Sequence, residues 1–202
     1  MFAEQYPRNS QGWIQFPTFD KERDILLPES KPHPARHSFA VYRSIIEYVS
    51  DILDTVMDIM AGTGTILIAA SMSRKVVAIE LGKEYQKLHE LLLDRLEAND
   101  PAQPSGIRKL VTLLQGDCRD MLPLPVNHII FSPPYATAMT VKSNPKTDAG
   151  KQLAGGKVMS DGSIDGDALY NLTQYIMDRR NIGLLNPFYY NHAMEKIYQL
   201  CY

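Results

Sequence analysis

The chain has 202 residues, is 45% hydrophobic and 22% charged, and carries a formal net charge of −2. This is the composition of a globular chain of about one domain, and it lacks the overall positive field that draws a protein to nucleic acid. No apolar run approaches the ~18–20 residues of a membrane span, residues 1–5 lack the basic and apolar parts of a signal peptide, and Cys118 and Cys201 have neither the number nor the CxxC spacing for a disulfide scaffold or a zinc site.

A reducing cytoplasm is therefore the expected compartment. Residues 1–36 read as an irregular N-terminal segment punctuated by Pro7, Pro17, Pro28, Pro32 and Pro34, and residues 37–202 as the domain proper. The spacing of Val41, Ile45, Ile46 and Val49 predicts a helix over 37–50. Residues 55–60 read as a strand, Gly62-Thr63-Gly64-Thr65 as a turn, 66–73 as a helix and 76–80 as a second strand. A helix over 82–98 presents Tyr85, Leu88, Leu92 and Leu96 on one face, and a loop over 100–106 leads to a third strand at 110–114. The apolar run Asn127-His128-Ile129-Ile130-Phe131 predicts a buried fourth strand, 127–132. Residues 136–168 are rich in Gly, Lys, Ser and Asp and have no period. A loop this long is functional or a solvated linker, and its Lys142, Lys146, Lys151 and Lys157 are the candidate nucleic-acid contacts. Asn186 then caps, and Pro187 opens, a helix to Cys201 with Tyr190, Met194, Ile197 and Cys201 on one face. Strands alternating with helices predict an α/β fold with a doubly wound, mostly parallel sheet.

The candidate site residues fall at the strand ends. After the first strand, Asp58-Ile59-Met60-Ala61-Gly62-Thr63-Gly64-Thr65 supplies glycines that let backbone approach a ligand and a helix start whose N–H groups face it. A dinucleotide fingerprint would place a third glycine where Leu67 stands, and the Gly-Lys-Ser/Thr ending of a P-loop is missing. Glu80 ends the second strand, where a carboxylate accepts ribose hydroxyls or simply favours a helix start. Asp117, after Gln115-Gly116, is either an acceptor for an adenine amino group or a turn residue. Gly-x-Gly, Glu and Asp on three successive strand ends define an adenosine site better than any one of them. After the fourth strand comes Ser132-Pro133-Pro134-Tyr135. The prolines lack N–H groups and fix φ, which leaves the carbonyls of Ser132 and Pro133 free to accept, while Tyr135 offers a stacking face. Such a pocket suits a planar ring with an exocyclic amine, although two prolines can also merely end a strand.

In this order, His33-Pro34-Ala35-Arg36-His37-Ser38-Phe39, then Asp58 with Ala61-Gly62-Thr63-Gly64-Thr65, then Glu80, Gly116-Asp117 and Ser132-Pro133-Pro134-Tyr135, the chain resembles the S-adenosylmethionine-dependent DNA amino-methyltransferases. The resemblance spans roughly residues 30–135. It implies a Rossmann-like class I methyltransferase domain with S-adenosyl-L-methionine as cofactor and no metal. His33, Pro34, Ala35, Arg36, Asp58, Ala61, Gly62, Thr63, Gly64 and Thr65 would lie at its methionine end, Glu80 at the ribose, and Asp117 with its neighbour Cys118 at the adenine. Read alone, Cys118 is a small buried residue. Ser132, Pro133, Pro134 and Tyr135 would form the catalytic pocket for a flipped base. The Ser-Pro-Pro-Tyr form is commonest in relatives that make N4-methylcytosine, which act on DNA, often beside a restriction endonuclease. Relatives that methylate adenine N6 more often carry Asp or Asn at the serine. Transfer-RNA guanine-N2 methyltransferases usually carry Asp there and add an N-terminal RNA-binding domain.

Relatives continue with about three further strands. Here the expectation is a sheet lacking its C-terminal side, completed by a further segment or a partner chain, with the fourth strand left as an apolar edge. A cofactor-binding half of a split enzyme is the reading from a different class.

Overall fold

In the computed structural model of the chain, the described residues are 2–30, 37–99, 106–134, 178 and 180–202. Four strands, β1 (Thr55–Asp58), β2 (Lys75–Glu80), β3 (Val111–Gln115) and β4 (His128–Ile129), form one sheet in the order β3-β2-β1-β4, every pair parallel. The chain steps outward from β1 to β3 and then crosses back to β4. The reversal falls between β1 and β4, and crevices at the carboxyl ends of parallel strands open at such a reversal. Registers such as Asp58↔Ala78, Glu80↔Gln115 and Met57↔Ile129 set the strand ends side by side.

Both sheet faces are buried, as a parallel sheet requires. Val56, Val76 and Ala78 point into one core with Phe39, Tyr42 and Ile46 of α2 (Phe39–Val49), Ile68, Ala69 and Ala70 of α3 (Ile68–Ser71), and Leu92, Leu93 and Leu96 of α4 (Lys83–Asn99). Met57 and Ile79, the alternate positions, point into the other core with Cys118 of α5 (Cys118–Met121) and Met194 and Ile197 of α6 (Pro187–Leu200). Helices on both faces make the sheet doubly wound, the Rossmann-like arrangement expected. Asn186 caps α6 by accepting from the Tyr189 N–H at 3.1 Å, with Pro187 in its first turn.

Three elements differ from expectation. The N-terminal segment is not wholly irregular: α1 (Lys21–Leu26) and a 3-10 turn (Pro28–Ser30) form in it, because Asp20 caps the Arg23 N–H at 3.1 Å and Leu26 and Leu27 reach the first core. On α2 the buried positions are Phe39, Tyr42, Ser44 and Ile46; Val49 is 38% exposed, because Phe39 and Tyr42 join Ile46 on the core face and turn Val49 away from it. The fourth strand pairs over only two residues, and its outer edge has no neighbour among the described residues. The expected loops at 100–106 (as far as residue 105) and 136–168, with Lys142, Lys146, Lys151 and Lys157, lie outside the described residues, as do His33, Pro34, Ala35, Arg36 and Tyr135.

Ile46 is fully buried, so Ile46→Ala is expected to cost about 2–5 kcal/mol. Val49→Ala, on the face the sequence pattern favoured, is expected to stay within about 0.5 kcal/mol. Urea unfolding of both variants checks this, and equal losses would refute the assignment of the α2 face.

Candidate functional site

The turn after β1 is built around two glycines. Gly62 and Gly64 have φ of +51° and +84°, the left-handed region that glycine enters without penalty. A Cβ on Gly64 would also stand 2.6 Å from His89 Cδ2. The Gly62 peptide is held from both sides. Its N–H donates to Glu80 Oε2 at 2.7 Å, and its carbonyl lies 2.8 Å from His89 Nε2. A carbonyl only accepts, so His89 carries its proton on Nε2. Burial pushes the His89 pKa down, which keeps the ring neutral.

Glu80 Oε1 accepts from the Gly82 N–H at 2.7 Å. Both oxygens of the expected ribose-binding carboxylate therefore already clamp backbone on either side of the strand end. Each keeps lone-pair capacity for a further donor. Asp58 ends β1 and is 2% exposed; its Oδ1 accepts from the Met60 N–H at 2.9 Å, and the Tyr42 hydroxyl stands 3.5 Å from Oδ2. Burial pushes Glu80 up to about 7. Burial, and secondarily the charge of Glu80, does the same to Asp58. Two buried carboxylates thus stand at adjacent strand ends.

Asp117 caps α5, accepting from the Arg119 N–H at 2.9 Å, and pairs with the Arg119 guanidinium at 2.5 Å. Burial pushes its carboxyl up, but the Arg119 hydrogen bonds and the charges of Arg119 and Arg180 outweigh this and hold it below the usual range. Arg119 also donates to the Arg180 carbonyl at 3.0 Å, which brings the segment beginning at Arg180 beside the β3 end. Cys118 is buried in the second core. Burial and the Asp117 anion push its thiol up to about 12, the state of an inert structural cysteine. Beyond β4, Ser132 is exposed and Pro133 and Pro134 are half-buried, across the reversal from the glycine turn. Ala61, Thr63 and Thr65 are buried, and both threonine hydroxyls accept from Arg23.

The structure thus brings Asp58, Ala61, Gly62, Thr63, Gly64, Thr65, Glu80 and Asp117 to three adjacent strand ends, with Ser132, Pro133 and Pro134 at the fourth. The sequence reading missed Arg23, Tyr42 and His89. His89 left a signal: it is the polar residue within the Tyr85, Leu92, Leu96 stripe of α4. Two buried oxygens among the described residues, Ser38 Oγ and Glu84 Oε1, have no hydrogen-bond partner. Glu84 Oε1 would stand 2.8 Å from a Cβ on Gly82, and burial pushes its carboxyl up. Glu84 Oε1 is thus a buried acceptor without a hydrogen-bond partner in the turn that follows Glu80.

The fold is a doubly wound, Rossmann-like parallel sheet, and the candidate site lies at its strand ends. Residues 4–91 match the family N6_N4_Mtase, described as DNA methylase, which bears out the resemblance seen in the sequence. That stretch, less than half the chain, includes the glycine turn, Glu80 and His89, and it ends before Asp117 and Ser132. No curated protein matches the chain. Among solved structures it is similar to the glycopeptide N-methyltransferase MtfA complexed with sinefungin, at 19% identity over 50% of this chain and 42% of that one, TM-score 0.37. It is also similar to TrmN from Thermus thermophilus, at 18% identity over 80% of this chain and 39% of that one, TM-score 0.43. The chain thus spans about two fifths of the length of these structures, and likenesses so distant say nothing of substrate. Among the described residues no helix is long and apolar enough to cross a membrane.

The buried carboxylates set a pH dependence. The folded chain holds the Asp58 and Glu80 protons more tightly than the unfolded chain does, so their contribution to stability is lost as pH rises from about 4 to about 7. Asp58→Asn keeps the Met60 hydrogen bond and removes the titration. Its melting temperature relative to wild type is expected to rise between about pH 4 and pH 7 and to level off above that; a constant difference would show that Asp58 does not titrate in this range.

Proposed function

We propose that the chain transfers a methyl group from S-adenosyl-L-methionine to the exocyclic amine of a base in DNA, with cytosine N4 as the acceptor. The observation that carries this reading is the meeting of a clamped glycine turn and two buried carboxylates with Ser132-Pro133-Pro134 across the strand reversal. The cofactor supplies a methyl group on a sulfonium that needs no further activation. Its sulfonium and ammonium charges suit the Asp58 and Glu80 carboxylates, and the open Glu84 and Glu80 acceptors suit its ribose. Asp117 remains an acceptor for the adenine amine, alongside its cap and ion pair.

An exocyclic amine is a weak nucleophile because its lone pair is delocalised into the ring. Ser132 and the Pro133 carbonyl accept its hydrogens, which favours tetrahedral nitrogen, and this interaction strengthens toward the transition state. With the cofactor bound, its methyl carbon would pass from sulfur to the amine nitrogen, and the exposed Ser132 would carry the proton the amine loses out to water. Alignment supplies most of the remaining acceleration. Tyr135 stacks on the base, which is taken out of its duplex. Lys142, Lys146, Lys151 and Lys157 contact the phosphates, and a further segment or partner chain completes the sheet beyond β4. Cytoplasmic DNA modification, beside a restriction endonuclease, is the setting this implies.

Unmethylated DNA is incubated with the chain and S-adenosylmethionine, then digested, and the nucleosides are identified by mass spectrometry. N4-methylcytosine is the expected product. N6-methyladenine would overturn the base, methylguanine from transfer RNA would move the substrate to RNA, and cofactor binding without product would point to a half enzyme that needs its partner. Ser132→Ala and Tyr135→Ala are expected to lower the transfer rate by about 10²–10³-fold, the effect of losing one transition-state contact, with cofactor affinity unchanged; full activity in both would remove them from the catalytic pocket.

A second outcome follows from the charges. S-adenosylhomocysteine lacks the sulfonium charge, so the preference for S-adenosylmethionine over it is expected to grow between pH 6 and pH 8 as Asp58 and Glu80 ionise. Calorimetric titration of both ligands measures this, and a pH-independent ratio would separate the carboxylates from the sulfonium.

A further inference from the structure

Arg23 lies outside every motif that points to the site, yet it is 2% exposed. A buried guanidinium is expensive unless its N–H groups are matched. Here Nε donates to Ser30 Oγ at 3.2 Å, Nη1 to Thr65 Oγ1 at 3.2 Å and to the His37 carbonyl, and Nη2 to Thr63 Oγ1. Ser30 Oγ is itself fixed by donating to the Leu27 carbonyl at 2.7 Å. The guanidinium carbon stands 5.5 Å from the Phe39 ring centre, within cation–π range. Asp20 completes the arrangement, capping the Arg23 N–H at 3.1 Å and accepting from the Phe39 N–H at 2.5 Å.

One side chain therefore joins three parts of the chain: the turn after α1, the start of α2, and the two threonines that flank Gly64. The glycines leave the turn's backbone free to adopt many conformations. Glu80 and His89 fix the Gly62 peptide, but neither holds the threonine side chains. Arg23 does, and its planar fork is what lets one residue reach acceptors on both sides; a lysine ammonium cannot span them.

We infer that Arg23 is a positioning residue for the cofactor, holding the glycine turn in its binding conformation by tying Thr63 and Thr65 to the N-terminal segment. This rests on the cofactor reading above. The family match includes position 23 but assigns it no role.

The test is calorimetric titration of S-adenosylhomocysteine into wild type, Arg23→Gln, Arg23→Lys, Thr65→Val and the Arg23→Gln, Thr65→Val double variant, at a temperature well below all their melting points. Arg23→Gln and Arg23→Lys are each expected to raise the dissociation constant at least about tenfold, the equivalent of one lost charge-assisted hydrogen bond. Thr65→Val alone raises it less, and adding it to Arg23→Gln brings no further loss, because the two act through one contact. A merely structural arginine would lower the melting temperature while leaving the dissociation constant within about twofold and the two effects multiplicative; that result would overturn the inference. Should neither arginine variant fold, the Thr63→Val, Thr65→Val double variant removes both acceptors and is expected to show the same tenfold loss, and wild-type affinity there would overturn the inference equally. Failure of wild type to bind the ligand would remove the cofactor reading itself, and the inference with it.

Discussion

The Gly62 peptide is the point on which the strand-end architecture depends. Its N–H is held by a carboxylate from β2 and its carbonyl by a histidine from α4. A glycine turn on its own has little reason to rest in one shape, since the residue that permits the turn also permits its alternatives. Two opposed hydrogen bonds from buried side chains remove that freedom. They also link β1 to the β2–α4 unit beyond the sheet ladder, so the first two strand ends behave as one rigid rim. Because burial keeps His89 uncharged, this half of the clamp does not change near neutral pH, whereas Glu80 carries the ionisable half.

That division explains why Glu80 serves structure and ligand together. A carboxylate that already accepts two backbone N–H groups is pre-oriented, and its remaining lone pairs face a known direction. Loss of Glu80 would therefore loosen the turn as well as remove an acceptor. Asp117 shows the same economy on β3, where capping α5 and pairing with Arg119 fix the carboxylate in place.

How much of this was readable in the residues themselves follows from how local each signal is. Strand and helix order came from apolar periodicity, and Asp58, Glu80 and Asp117 were legible because they punctuate strand ends. Asn186 and Pro187 opened α6 as their chemistry requires. The face of α2 was misjudged because Phe39 and Tyr42 fill the space beside β1 better than Val41 and Val49 do, and periodicity weighs all apolar residues alike. Arg23 was invisible for a deeper reason: its acceptors are Ser30, His37, Thr63 and Thr65, the farthest of them 42 positions away in the chain and joined to it only by folding. Arg23 sits in a six-residue helix, too short for a periodic pattern to announce.

The brevity of β4 has a consequence of its own. With two paired residues the strand has few ladder bonds to hold its register, among them the Ile130 N–H to the Met57 carbonyl at 2.8 Å, and it is pinned at its entrance as well. The Asn127 N–H donates to the Thr55 carbonyl at 3.0 Å while its side chain accepts from the Thr55 N–H at 2.8 Å, and His128 meets Asp54 at 3.1 Å. From that pin the chain runs as a ruler to Ser132. Inserting or deleting one residue between them would move the serine by about 3.3 Å and turn it to the opposite side of the strand. The identities of residues 129–131 can drift among apolar types; their number cannot.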